Sequence, residues 1–230
     1  MAAAIGLYVY DSALLLRGNE GILFPRRSNG WGVSFGSRNF QIMGKEPFLP
    51  NPFLPHRPLF RLSWKFEGAP LSEACDPPRG AFMALAPWVW IMAISLFVLF
   101  PLGFFSRLGD RMLLMGIGSL YLSILVALVL LWHKREQLSI SHRRFAALAF
   151  ESLICPPFAL NMIRHVSVSI PVAEDLVIAA RRLQKPSHWH ATCAGCLARL
   201  DSEIECEEEG TERMCLLQAH RRRLHEEAES

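Results

Sequence analysis

The chain lacks most of the marks by which a sequence discloses chemistry. It has no Asn-x-Ser/Thr acceptor site, so nothing points to a glycosylated exterior. Its first residues, Met1 to Leu7, carry no basic charge, and Asp11 interrupts the apolar run that follows, so no signal peptide is expected. No dense basic stripe exists, and nucleic acid is not an expected partner. No strand–helix–strand repeat is visible, which removes the setting that a nucleotide-binding or hydrolase fold would need.

The largest absence is of charge within two stretches. Residues 81–105, AFMALAPWVWIMAISLFVLFPLGFF, and residues 112–132, MLLMGIGSLYLSILVALVLLW, contain no Asp, Glu, Lys, Arg or His. About 20 helical residues cross a hydrocarbon core of roughly 30 Å, so each run is long enough to span a bilayer. Trp88 and Trp90 stand near the start of the first. Trp132, followed by His133, Lys134 and Arg135, closes the second, as interfacial anchors do. Pro87 falls in the first turns, where a missing N–H costs little, and Pro101 is expected to kink or end the first helix. Ser106 to Arg111, with two Arg and one Asp, is a turn too charged for hydrocarbon. Without an ionisable group in either run, a proton or ion path is not expected. In the second run Gly116, Ser119, Ser123 and Ala127 form a stripe of small residues. It suits packing on Ala86 and Ala93 of the first helix, or association with a second copy.

The net charge of +3 is unevenly spread. Residues 1–80 carry nine Lys/Arg against six Asp/Glu, residues 133–185 eight against four, and residues 186–230 five against ten. Six basic residues flank the apolar pair on the terminal side (Lys65, Arg79, Lys134, Arg135, Arg143, Arg144) and two, Arg107 and Arg111, lie in the turn. That asymmetry puts both termini in the cytoplasm, in a multi-pass protein of the plasma membrane.

Residues 1–80 read as a β-rich cytoplasmic unit with a proline-rich arm. Apolar runs at Ile5–Tyr10, Ala13–Leu16, Gly21–Phe24 and Trp31–Phe35 are separated by turn clusters at Arg17–Gly21 and Ser28-Asn29-Gly30. Arg38–Met43 and Pro58–Phe66 are further strand-like runs. The arm, residues 47–58, repeats Pro-Phe-Leu-Pro twice, and five prolines in twelve residues exclude a helix. Phe48, Phe53 and Arg57 on it are candidate partner-binding residues; the alternative is a stiff connection packed on the sheet. Gly32-Val33-Ser34-Phe35-Gly36 matches a nucleophile-elbow pattern without the helix that such a motif requires next.

After the spans, Ser141 is placed to cap a helix from His142, and Pro156-Pro157 breaks it. From Phe145 to Ile163 the only charge is Glu151, so this stretch either lies in the interface or dips into the bilayer and returns. Glu151, Asn161, Arg164 and His165 form the best polar cluster of the sequence if the chain folds back at the prolines. VSVSI (166–170) is a strand candidate, and Pro171 is expected to open a helix that Pro186 ends. Residues 186–230 read as an acidic helical tail, a hairpin turning at Gly210.

Cys193, Cys196, Cys206 and Cys215 fall in that tail. Cys-x2-Cys supplies two zinc ligands from one turn, but the second pair lacks this spacing. Buried packing, zinc binding and redox chemistry are the open readings, and no other cofactor is suggested. The expected fold class is a membrane α-helical hairpin (81–132) with a small β-rich N-terminal unit and an α-helical C-terminal region (133–185 and 186–230). The expected role is that of an anchor or accessory protein working through the bilayer and a protein partner or second copy. The alternative is a membrane-surface enzyme or zinc module.

Overall fold

A computed structural model describes residues 2–26, 30–65, 76–107, 109–208 and 210–229. The chain is mostly helical, with a small antiparallel sheet region near the N-terminus. It divides into two units that interleave along the sequence. The first comprises residues 1–13, 49–58 and 78–170, the second residues 14–48, 59–77 and 171–230.

The first unit begins with α1 (Ala2–Ser12). Its apolar run Ile5–Tyr10 reads as a strand in the sequence but folds as helix. Three alanines precede it, and the tertiary partner decides: Tyr8 is buried, with its ring 6.0 Å from that of Phe97. Short apolar runs do not distinguish helix from strand by themselves.

Arg79–Phe105 forms a long, bent helical run of 27 residues: α2 (Arg79–Met83), α3 (Ala86–Ile94), a π-helical turn (Ser95–Leu99) and α4 (Phe100–Phe105). Pro101 explains the π turn. It has no N–H to give, and the backbone widens just ahead of it so that Phe100 N–H donates to Ser95 O. The helix is thus reshaped rather than ended. The second long helix, α5 (Gly109–Lys134), has 26 residues. Both are long and apolar enough to cross a membrane.

The two pack through the small-residue stripe. Ser95 and Ser119 hydroxyls are 2.7 Å apart, and Ser123 and Ala127 are buried. A Cβ on Gly116 would stand 2.9 Å from the Phe100 ring. At its Gly116–Ser119 end the stripe meets Ser95, Leu99 and Phe100 of the first helix.

Ser141 caps α6 (His142–Ile154), its Oγ accepting from Arg144 N–H. Pro156 and Pro157 end it and open α7 (Pro156–Ala159). α8 (Met162–Val168) follows, occupying most of the predicted VSVSI strand. The serines there turn inward: Ser167 Oγ donates to Arg164 O and Ser169 Oγ to Val166 O, so hydroxyls satisfy carbonyls at the helix end.

Among its described residues the second unit holds five strands: β1 (Leu14–Leu16), β2 (Glu20–Pro25), β3 (Trp31–Ser34), β4 (Glu46–Phe48) and β5 (Phe60–Ser63). β1 pairs with β4, and β2 is the centre of a three-stranded antiparallel sheet between β3 and β5. Arg38–Met43 is not a strand; its one bridge joins Ile42 to Lys45 in a tight turn. Ser28 and Asn29 of the second turn cluster, and Phe66 at the end of the last strand-like run, lie outside the described residues. Helices between residues 176 and 229 complete this unit, the first two packed on the strands and the last on its neighbouring helix. α9 (Leu176–Leu183) starts five residues later than Pro171 suggests, because Asp175 is the cap and accepts from Val177 N–H at 2.8 Å. Burial pushes the Asp175 carboxyl up, and the backbone N–H groups of Val177 and Lys65 oppose that shift. α10 (Pro186–Cys206) and α11 (Glu212–Glu229) form the expected hairpin, with Gly210 at φ +86° between them. Leu200, Leu217 and Leu224 are buried within this unit together with Leu16, Ile22, Phe60 and Leu176.

Replacing Gly116 by Leu is expected to lower the unfolding temperature in detergent, at a cost of about 1–3 kcal/mol from overpacking against Phe100. Gly118→Leu on the same helix, where a Cβ meets nothing within 4 Å, serves as the control and leaves the temperature within error.

Candidate functional site

The polar cluster foreseen at 151–165 exists in three of its four members, and it has partners that the sequence does not disclose. Asn161, Arg164 and His165 stand at i, i+3 and i+4, and so on one face of the chain entering and forming α8. Tyr8 and Asp11, at i and i+3, share a face of α1. The proline arm contributes backbone carbonyls.

Asn161 is the hub. Its Nδ2 donates to Tyr8 O at 2.9 Å and to Asp11 Oδ2 at 2.9 Å, and its Oδ1 accepts from Arg164 Nη1 at 3.0 Å. Arg164 Nη2 donates to Asn51 O at 2.6 Å and Leu54 O at 3.1 Å, and Tyr8 Oη donates to Pro52 O at 2.6 Å. His165 Nε2 donates to the same Asp11 oxygen at 2.8 Å. Arg164 and Asn161 are buried, so these bonds answer a large desolvation cost. Burial lowers the pKa of Arg164, opposed by Tyr8 and Asp11 beside it. Burial likewise pushes the Tyr8 phenol up against the pull of Arg164.

Glu151 stands apart from this network. It is exposed on α6, one helical face with Arg144 and Ala147, and with them, Leu148, His165 and Val166 it lines a cavity of about 210 Å³. His165 is the link between cavity and cluster. Among the described residues no side-chain hydroxyl or thiol hydrogen-bonds to His165, so the Asp11–His165 pair is not set against a nucleophile. Its chemistry is that of a clamp: α1, α8 and the proline arm are tied at one buried point.

The candidate docking residues divide. Phe53 is 80% exposed, on a turn closed by its own N–H donating to Asn51 Oδ1 at 2.9 Å. Arg57 is half-buried on the same arm, and Phe48 is half-buried in β4. The first two residues of the arm, Pro47 and Phe48, belong to β4, and beyond them Asn51, Pro52 and Leu54 are fastened to α1 and α8.

The four cysteines of the tail do not gather. Cys193 and Cys196 are buried on α10, the Cys193 thiol donating to Leu224 O at 3.2 Å; Cys206 and Cys215 are exposed, and all four are thiols rather than disulfide sulfurs. Burial pushes the Cys196 thiol up to about 12, with Cys193 adding and Arg199 opposing. Among the described residues no group of three or more His, Cys, Asp or Glu side chains is placed to hold a metal ion.

A buried ion pair in the other unit escapes sequence reading. Arg199 Nη2 meets Glu46 Oε2 at 2.5 Å, both side chains buried, and donates to Gly36 O at 3.0 Å. The Arg199 guanidinium also lies 4.2 Å from the Phe35 ring centroid. Gly32 and Gly36 of the nucleophile-elbow pattern are glycines for this packing. A Cβ on the first would enter the Phe24 ring, and one on the second would collide with Glu46. No helix follows Ser34. The signal for Arg199 is its place inside an apolar stripe, between Cys196 and Leu200. For Asp11 it is being the first acid of the chain, at the end of an apolar run.

Compared with family models, curated proteins and solved structures, the chain matches none of them.

Two outcomes follow from this geometry. Arg164→Met strips partners from Asn51 O, Leu54 O and Asn161 Oδ1 and is expected to cost about 2–4 kcal/mol. It should also quicken chymotrypsin cleavage after Phe53, read by mass spectrometry. A maleimide on the folded chain is expected to modify Cys206 and Cys215 within minutes and spare Cys193 and Cys196 until denaturant is added, because a buried neutral thiol is a poor nucleophile.

Proposed function

We propose that this protein is a multi-pass membrane anchor of accessory type, held by the α2–α5 hairpin and working through protein contacts. One observation carries the membrane part. The two long helices bury only about a third of their apolar windows, 39% and 33%, and turn large apolar side chains outward. Phe104 is 71% exposed, Phe105 90% and Leu114 73%, and Ile94, Val98, Leu122, Leu125 and Val129 continue the band. A helix pair in the core of a water-soluble domain would hide such groups. A continuous exposed apolar band is stable when acyl chains cover it.

Lengths agree with that reading. Helices of 27 and 26 residues measure about 40 Å, against a hydrocarbon core of roughly 30 Å. The basic residues at the Arg79 and Lys134 ends exceed those of the turn, which supports a cytoplasmic location for both termini. The accessory role rests on Phe53, an aromatic side chain displayed on an arm whose backbone is clamped, so that little ordering entropy remains to be lost when a partner docks. The rival reading, a membrane-surface enzyme or zinc module, finds less support. Asn161 and Arg164 are already occupied by the arm and α1, and the tail thiols lie apart.

The protein is expected to stay in the membrane fraction after alkaline carbonate washing, with a reporter fused after residue 109 outside the cell and reporters after 80 and 230 inside. Release by carbonate would end the anchor reading. A photoreactive residue at position 53, irradiated in intact membranes, is expected to give one discrete protein adduct; no adduct, with insertion normal, would end the accessory reading.

A further inference from the structure

The hairpin leaves open what covers α6. This helix displays Ala146, Phe150, Leu153 and Ile154 on its outer face, with Phe150 66% and Ile154 65% exposed. We propose that α6 enters the bilayer alongside α5 and turns back at Pro156-Pro157, so that acyl chains of one leaflet cover this face. This re-entrant arrangement rests on the reading of α5 as a spanning helix.

The contacts set the direction. At the Lys134 end of α5, Trp132 lies 5.4 Å from the His142 ring and 5.0 Å from the Phe145 ring. Eleven residues away on α5, Tyr121 Oη donates to Leu153 O at 3.4 Å, at the far end of α6. α6 therefore runs antiparallel to α5 over about 16 Å. A helix lying flat at the membrane surface would cross a spanning helix at a steep angle and touch it at one level only. Contacts at two levels this far apart require α6 to follow the membrane normal, down to about the middle of the hydrocarbon.

The return path closes the loop. α8 comes back beside the first turns of α6, where Arg144 Nη2 donates to His165 O at 3.3 Å. The turn at the bottom meets the chief demand of a low-dielectric setting, that backbone donors be satisfied internally. Pro156 and Pro157 have no N–H. Cys155 N–H donates to Glu151 O at 2.9 Å, Phe158 N–H to Cys155 O at 2.8 Å and Asn161 N–H to Phe158 O at 3.0 Å. Charge is distributed accordingly. Arg135, His142, Arg143 and Arg144 cluster at the entry, and Arg135 stacks 4.3 Å over Trp132 as an interfacial anchor. Glu151, the single charge further down, lines the cavity shared with Arg144 and His165. An ionisable group at this depth is tolerated when it faces such a cavity.

The depth of three positions decides. p-Acetylphenylalanine introduced singly at 146, 150 and 154, and at 125 on α5, carries a nitroxide while leaving the six native cysteines in place. The full chain is reconstituted in phosphatidylcholine–phosphatidylglycerol vesicles, and collision with oxygen is compared with collision with a water-soluble nickel chelate. The expected result is lipid exposure at 125 and a gradient along α6, each four-residue step about 6 Å deeper than the last. Equal, shallow depth at 146, 150 and 154 with 125 in lipid would overturn the re-entrant helix and leave the hairpin standing. Water exposure at 125 would overturn both.

Discussion

Organisation of the first unit depends on the three hydrogen bonds of one buried amide. Asn161 has two amide protons and an oxygen, and all are used. They hold the backbone of α1, the carboxylate of Asp11 and the guanidinium of Arg164 at fixed distances. Arg164, so positioned, reaches the proline arm, and Asp11, so positioned, reaches His165. Asp or Leu at this position would fit the space but not the pattern of donors. A carboxylate would set negative charge against Tyr8 O and Asp11, and an alkyl group would take one partner each from Tyr8 O, Asp11 Oδ2 and Arg164 Nη1.

How much of this the sequence discloses follows from the range of each interaction. The long helices are legible because their signal is local and redundant: more than twenty consecutive residues without charge admit few other readings. The caps at Ser141 and the turn at Gly210 are legible for the same reason, since one residue's chemistry decides them. Runs of five or six residues are not. Ile5–Tyr10 and Val166–Ile170 have strand-like composition, yet the first folds within α1, with Tyr8 against Phe97, and Val166–Val168 of the second end α8, with serines 167 and 169 bonded back to its carbonyls. Their outcome depends on neighbours far along the chain.

The candidate site divides in the same way. Asn161, Arg164 and His165 are recognisable by helical spacing, but the acid that completes them is some 150 residues away on α1, marked in the sequence only as the first acid, at the end of an apolar run. Glu151 looks equally apt in sequence, yet the phase of α6 aligns it with Arg144 and turns it to the cavity. The cysteines suggest a metal only while their burial is unknown: two are inside the helical packing and two outside. Arg199 and Glu46 were hidden by their distance along the chain, although each sits beside residues that must be buried.

The order in which the two units alternate has a consequence for biosynthesis. β1 to β5 leave the ribosome before the apolar hairpin, whereas α9 and α10, which pack on the strands, and α11, which packs on α10, leave it after. Glu46 must therefore wait about 150 residues of translation for Arg199. At roughly 5–20 residues per second, that is about 8–30 seconds during which the strands stay incomplete with exposed edges, and on the anchor reading proposed above membrane insertion falls within the same interval. On that reading, delivery of the hairpin to the bilayer precedes closure of the second unit's core. A delay in insertion would lengthen the time for which those edges are open to other chains.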